Sequence, residues 1–171
     1  MKTAKTKRIK KERIKNKTRI IEREPEFEGG AIFAEYYQGV WKGEVVKHGH
    51  YESFYTGYND LGAPKIICNY RYGKYHGRYD AWFEGGYKAH EGFYRNGKQN
   101  GRWKTWYDDG GIESIINYKD GKKDGRSIEY HREGGKELEC IFKDNKMVKL
   151  IGEWEYEEMK DYVTPDEPML L

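Results

Sequence analysis

The residues that invite a chemical reading are few and scattered. Five histidines stand at His48, His50, His76, His90 and His131, and the two cysteines are Cys68 and Cys140. His48-Gly49-His50 with Cys68 is the nearest approach to a metal cluster. It lacks a second cysteine pair or a histidine pair on one helical face, so no metal or other cofactor is expected. No phosphate-binding loop, dinucleotide fingerprint or nucleophile elbow occurs. Carboxylates are plentiful, but acid–base work needs a concave, partly dry site. The expectation is a protein that is not an enzyme and has no small-molecule substrate.

What the side chains do offer is charge and aromatic surface. The 171 residues carry a net charge of +3, and that charge is unevenly placed. Residues 1–24 hold 11 Lys/Arg against 3 Glu, whereas residues 153–171 hold 1 against 7 acidic groups. The basic arm, with Lys7, Arg8, Lys10, Lys11, Arg13, Lys15, Lys17 and Arg19, is a candidate for attachment to nucleic acid or an anionic membrane. The ordinary alternative is a solvated, solubilising tail. A second candidate surface combines Arg78, Arg102 and Arg126 with Trp82, Trp106 and Tyr130. Trp, Tyr and Arg dominate binding hot spots, although the same aromatic column with Tyr58 would equally well stack between neighbouring units as core.

These residues recur because the chain repeats. A 24-residue unit is read from Gly49, Gly73, Gly97 and Gly121 onward, with no insertion or deletion between copies. Four residues on stand Ser53, Gly77, Gly101 and Gly125, and a further column holds Gly62, Gly86, Gly110 and Gly134. Each unit reads as two short strands, such as 102–107 and 112–119, separated by glycine-rich turns. Gly73, Gly77, Gly97, Gly101, Gly121 and Gly125 are the expected turn residues. A fixed period of this size signals an array in which each unit buries its apolar face on its neighbours.

Alternate positions of the second strand form one apolar face, as in Cys68 and Tyr70 or Ile116 and Tyr118. In the first strand Trp103 and Trp106 have opposite parity, so either a bulge intervenes or both faces carry aromatics. Bases flank one row of turns, partly offset by Asp120, Asp124 and Asp144, and acids (Asp60, Glu84, Asp108, Asp109, Glu133) the other, offset by Arg132; this reads either as one basic and one acidic long edge or as the mixed charge of an ordinary soluble surface.

The run Tyr94-Arg95-Asn96-Gly97-Lys98-Gln99-Asn100-Gly101-Arg102-Trp103, and its partner from Tyr118 to Gly125, resembles the MORN repeat. The variant is similar to the repeats of YwqK-type bacterial antitoxins. The resemblance implies an all-β, elongated, single-layer antiparallel meander. Four segments follow: the basic arm 1–24, a degenerate first repeat 25–48, the array 49–152, and an acidic cap and tail 153–171 whose start reads as a short helix.

For function, the resemblance implies a scaffold that engages another protein or a large assembly, such as a virus particle, with self-association through sheet edges. Toxin neutralisation is one alternative, and attachment to anionic lipid or nucleic acid through residues 1–24 is the other. With 36% hydrophobic but 16% aromatic residues, a thin sheet is the expected way to build a core. No apolar run is long enough for a membrane helix and no apolar stretch follows the basic start, so an intracellular or particle-bound location is expected. The cysteines fall in one column three units apart, roughly 29 Å at two strands per unit, and should be free thiols.

Overall fold

The computed structural model describes residues 15–23, 32–55 and 62–155. Twelve strands form one antiparallel sheet. They are β1 (Lys15–Arg23), β2 (Ile32–Trp41), β3 (Glu44–Phe54), β4 (Pro64–Arg71), β5 (Lys74–Trp82) and β6 (Lys88–Arg95). There follow β7 (Lys98–Gln99), β8 (Gly101–Trp106), β9 (Ile112–Lys119), β10 (Lys122–Tyr130), β11 (Lys136–Lys143) and β12 (Lys146–Glu153). Sequence neighbours are sheet neighbours throughout, with β7 and β8 sharing β6 as partner. The expected single-layer meander is therefore the architecture, and no helix occurs among the described residues.

Two-residue turns explain the tight side of the meander. Asn96 and Gly97 have φ of 52° and 81°, and Asp120 and Gly121 have 51° and 86°. Positive φ at both positions matches the twist of the flanking strands. Lys42-Gly43, Tyr72-Gly73 and Asp144-Asn145 take the same form. Each later turn is also tied back to the preceding hairpin. The amides of Gly73, Gly97, Gly121 and Asn145 donate to the carbonyls of Lys47, Tyr75, Gln99 and Lys123 at 2.8–3.0 Å.

These turns correct the reading of the repeat. Gly49 is not in a hairpin turn; it lies inside β3, where the register with β2 shifts. The turn glycine of that unit is Gly43. From there to Gly73 the chain runs six residues longer than the 24 between Gly73 and Gly97, so the first unit does contain insertions. Gly77, Gly101 and Gly125 are likewise not turn residues. They sit at positive φ where β5, between β7 and β8, and β10 bulge against their neighbours. A bulge of this kind needs glycine because the extra residue adopts a left-handed backbone.

The basic arm also needs correction. Its second part is strand β1, with Ile20 opposite Tyr36 and Ile21 opposite Glu35, and is thus an edge of the sheet rather than a solvated tail. Lys7, Arg8, Lys10, Lys11 and Arg13 lie outside the described residues. The short helix expected from residue 153 does not start there, because Glu153 ends β12 and Trp154 and Glu155 are not helical; its remainder lies outside the described residues.

The two faces differ. On one, which we term the aromatic face, rings run from β2 to β9: Tyr36, Tyr51, Tyr70, Tyr75, Tyr94, Trp103 and Tyr118 follow one another at centroid distances of 4.7–6.5 Å. Such contacts contribute about 0.5–1.5 kcal/mol each beyond area burial. Cys68, Ser127 and Cys140 are sealed beneath this surface, and both cysteines are free thiols. Trp103, 5% exposed, lies on the bare backbone of Gly92 and donates its indole N–H to the Phe93 carbonyl.

The opposite, ionic face carries charge clusters. Lys88 joins Asp80 at 2.9 Å and Glu91 at 2.7 Å, while Arg78 also binds Asp80. Two units on, Lys136 and Arg126 hold Glu139 at 2.8 and 2.6 Å. Between these clusters stand Ile112, Ile115 and Ile128, paired in register with Trp106, Lys104 and Glu139.

Candidate functional site

The meander has two long edges, one of two-residue turns and one of longer loops. On the turn edge, the first hairpin ends in Trp41 opposite Glu44 and the next four each end in two bases directly opposite one another. The pairs are Arg71–Lys74, Arg95–Lys98, Lys119–Lys122 and Lys143–Lys146, and all eight are exposed. Like charges directly opposite destabilise a strand pair, and here four successive hairpins accept that cost. Lys122 meets Asp144 at 3.3 Å and Lys143 meets Asp124 at 2.8 Å. Among the described residues, the other six form no ion pair. Part of the arrangement is structural. The stems of Lys74 and Lys98 lie against Gly97 and Gly121, each 3.5 Å from where a Cβ would stand, so a long side chain caps the next bare turn.

Strand β1 starts from this same edge. Lys15 is opposite Val40, next to the Trp41–Glu44 hairpin end. Of the other arm candidates, Lys17 is exposed and Arg19 binds Glu35 at 2.7 Å. Nearby, Trp41 and Tyr72 stack at 4.9 Å, with Lys42 and Arg71 over their rings at 4.7 and 5.6 Å.

The Arg–aromatic candidate surface is only partly assembled. Arg78 and Arg126 are bound to carboxylates on the ionic face, while Arg102 is exposed and has no ion pair among the described residues. Trp82, Trp106 and Tyr130 do not stack on one another. Instead Lys88 Nζ lies between the two indoles, 5.8 Å from Trp82 and 5.7 Å from Trp106. The carbonyl of Tyr130 accepts from the Tyr107 hydroxyl at 2.7 Å. Ring stacking belongs to a different column, on the aromatic face. The parity of Trp103 and Trp106 has both expected causes: the β8–β9 register shifts at Trp106, and the rings stand on opposite faces.

The loop edge holds Glu84, Asp108, Asp109 and Glu133, all exposed; Asp60 lies outside the described residues. Arg132 binds Asp108 at 2.6 Å and Asp109 at 3.1 Å. That hydrogen bond holds the Asp108 carboxyl below the usual aspartate range. β12 ends here, since Leu138 faces Glu153 and the Trp154 amide donates to the Glu137 carbonyl. The acidic C-terminal stretch therefore begins at the acidic edge.

Several histidines are engaged locally, and both thiols are buried. His48 Nδ1 accepts from the Tyr72 amide at 3.3 Å, and His76 Nδ1 from the Asn96 amide at 3.4 Å. Burial, with Lys17 and Arg71 nearby, holds His48 below the usual histidine range and favours the neutral ring this bond requires. His50 binds Glu52. Burial pushes the Cys68 thiol up to about 12. Among the described residues no three His, Cys, Asp or Glu converge as metal ligands. The aromatic face has an open depression of about 290 Å³ between Tyr79, Tyr94, Trp103 and Tyr118.

Sequence reasoning missed the opposed cation pairs. Their signal was available, because Arg71, Arg95, Lys119 and Lys143 each stand three residues before Lys74, Lys98, Lys122 and Lys146 across a two-residue turn. Comparison with known proteins finds no family model that matches this chain and no curated protein similar to it.

Proposed function

We propose that this chain is a non-enzymatic scaffold of MORN-like repeats that attaches to a larger macromolecular assembly through its charged edges. The observation that carries the reading is charge sorting. Bases close four successive hairpins on one edge, where β1 also begins at Lys15, and exposed acidic loop residues and the start of the acidic C-terminal stretch stand on the other. Exposed charge arranged in this way steers and orients a macromolecular partner. A toxin-neutralising surface would offer acidic groups such as Asp108 and Asp109 to a basic active site, and Arg132 already engages both carboxylates.

The test is capture from native lysate by the full chain and by a chain starting at Lys15, washed at low and high salt. Starting at Lys15 keeps β1 intact. A macromolecule held at low salt and released at high salt is the expected result. If neither chain retains any macromolecule at low salt, the attachment reading fails.

A further inference from the structure

The cation pairs of the turn edge have a regular spacing, and spacing constrains what can lie along them. Successive hairpin ends are two strands apart, about 9.6 Å at ~4.8 Å per strand, so four pairs span roughly 29 Å. They form a narrow ridge rather than a plane. Asp120 and Asp144 occupy two of the turns. Glu44 closes the first hairpin beside Lys42, so the uninterrupted run of bases on this edge is Arg71, Lys74, Arg95 and Lys98. Beside that stretch, on the ionic face, Phe93 is 53% exposed. It stands opposite Arg78 in β5, and β8, which carries Arg102, lies on the other side of its strand.

We propose that the turn edge is a track for single-stranded nucleic acid, with phosphates along the cation pairs and a base stacked on Phe93. This inference names the partner of the attachment reading above and rests on it. A row of cations beside an exposed aromatic ring is what sequence-tolerant single-strand binding requires. A duplex fits less well, because its backbone winds around its axis once in about 34 Å and would leave a ridge of this length between crossings. A membrane fits less well because aromatic side chains occur only at the first two turns, where Trp41 and Tyr72 stack on one another, and the other three present Asn96, Asp120 and Asp144 rather than apolar anchors.

The experiment is fluorescence anisotropy of a labelled oligothymidine of about 20 nucleotides with the full chain, at salt concentrations between about 50 and 200 mM. Four contacted phosphates give a log–log slope of about −3, which weakens binding roughly 60-fold over that range. The discriminating variant is Arg71→Glu with Arg95→Glu. It turns two like-charge pairs into opposite-charge pairs with Lys74 and Lys98, so the hairpins should be at least as stable. The expected result is an unchanged or raised melting temperature with binding reduced at least tenfold. Phe93→Ala should weaken binding without changing the salt slope.

Several results overturn the track. One is no oligothymidine binding at the lowest salt. Another is binding that survives in the charge-reversed variant and disappears with residues 1–14, which would place the contact on the arm alone. Tighter binding to a duplex of equal length, to phosphatidylserine vesicles or to polyglutamate would also refute a single-strand track. Each of these last three would leave attachment through the basic edge standing.

Discussion

Gly92 is where one atom decides the packing of the aromatic face. A Cβ built on it would stand 2.4 Å from the Trp103 indole, and its backbone carries no positive φ, so the requirement is purely for space. Trp103 is held from the other side by Tyr94 and Tyr79 at 4.9 and 5.8 Å and cannot retreat without breaking those contacts. Gly92→Ala should therefore destabilise by about 1–3 kcal/mol, the usual cost of overpacking, read as a shift of the urea midpoint. The cause is checked by a double-mutant cycle with Trp103→Leu. If the alanine is as harmful beside leucine as beside tryptophan, the indole is not what it meets. The thiols report on the same face. Cys68 and Cys140 are 1% and 0% exposed, and burial raises the pKa of each. Both should resist a thiol-specific reagent in the native state and react together on denaturation. Fast labelling of either without denaturant would show that its cover opens locally.

At the scale of strands and hairpins, the ionic face stores pH sensitivity. Asp80 is 7% exposed. Burial works to raise its pKa, but the bonds from Arg78 and Lys88 together outweigh it and set the carboxyl below the aspartate range. A lowered folded-state pKa means that the unfolded chain binds the proton more readily. The resulting stability is present above the ordinary aspartate value of about 3.9 and is lost as pH falls through the lowered one. Asp80→Asn should cost about 1–2 kcal/mol near neutral pH, the range for a hydrogen bond to a charged group with one solvent-exposed partner. The gap between wild type and variant should narrow by pH 3. A gap of constant size from pH 7 to pH 3 would mean that the charge on Asp80 contributes nothing.

How much of this was legible varies by element. Hairpins announced by Asn96-Gly97 and Asp120-Gly121 were readable, because both turn positions need a left-handed backbone. Lys42-Gly43 and Tyr72-Gly73 use the same turn with less suitable first residues, and the first of them escaped notice. Gly49 then looked like a turn only because a bulge demands the same backbone from glycine. The apolar side of the second strands was legible from its alternation. The lysine between Trp82 and Trp106 was not, because it depends on which face each strand turns after a bulge, and a one-residue shift reverses that.

The whole molecule is an array whose cohesion is graded along its length. Each strand is hydrogen-bonded only to its neighbours, so stability is approximately a sum of unit and interface contributions. The aromatic contacts run from Tyr36 in β2 to Tyr118 in β9. One unit on, Ser127 stands in place of Trp103, paired in register with Cys140, and Phe142 stands in place of Tyr118 with Lys123 Nζ over its ring at 4.9 Å. β12 is bonded to β11 alone, and Met147, Val148, Leu150 and Ile151 in it are 47–61% exposed. An edge strand that buries so little contributes little beyond its hydrogen bonds. Hydrogen exchange should therefore show a gradient. Amides of β4 to β9 should be the most protected, and those of β10 to β12 should open at lower urea. His131 and Lys136 set a limit to that opening, because they hold Trp154 through its carbonyl at 2.8 Å and its ring at 5.7 Å. Trp154→Ala should steepen the gradient by releasing the C-terminal end and leave exchange in β4 to β9 unchanged. If wild-type peptides from all strands lose protection at one urea concentration, the array unfolds as a single cooperative unit and the graded picture is wrong.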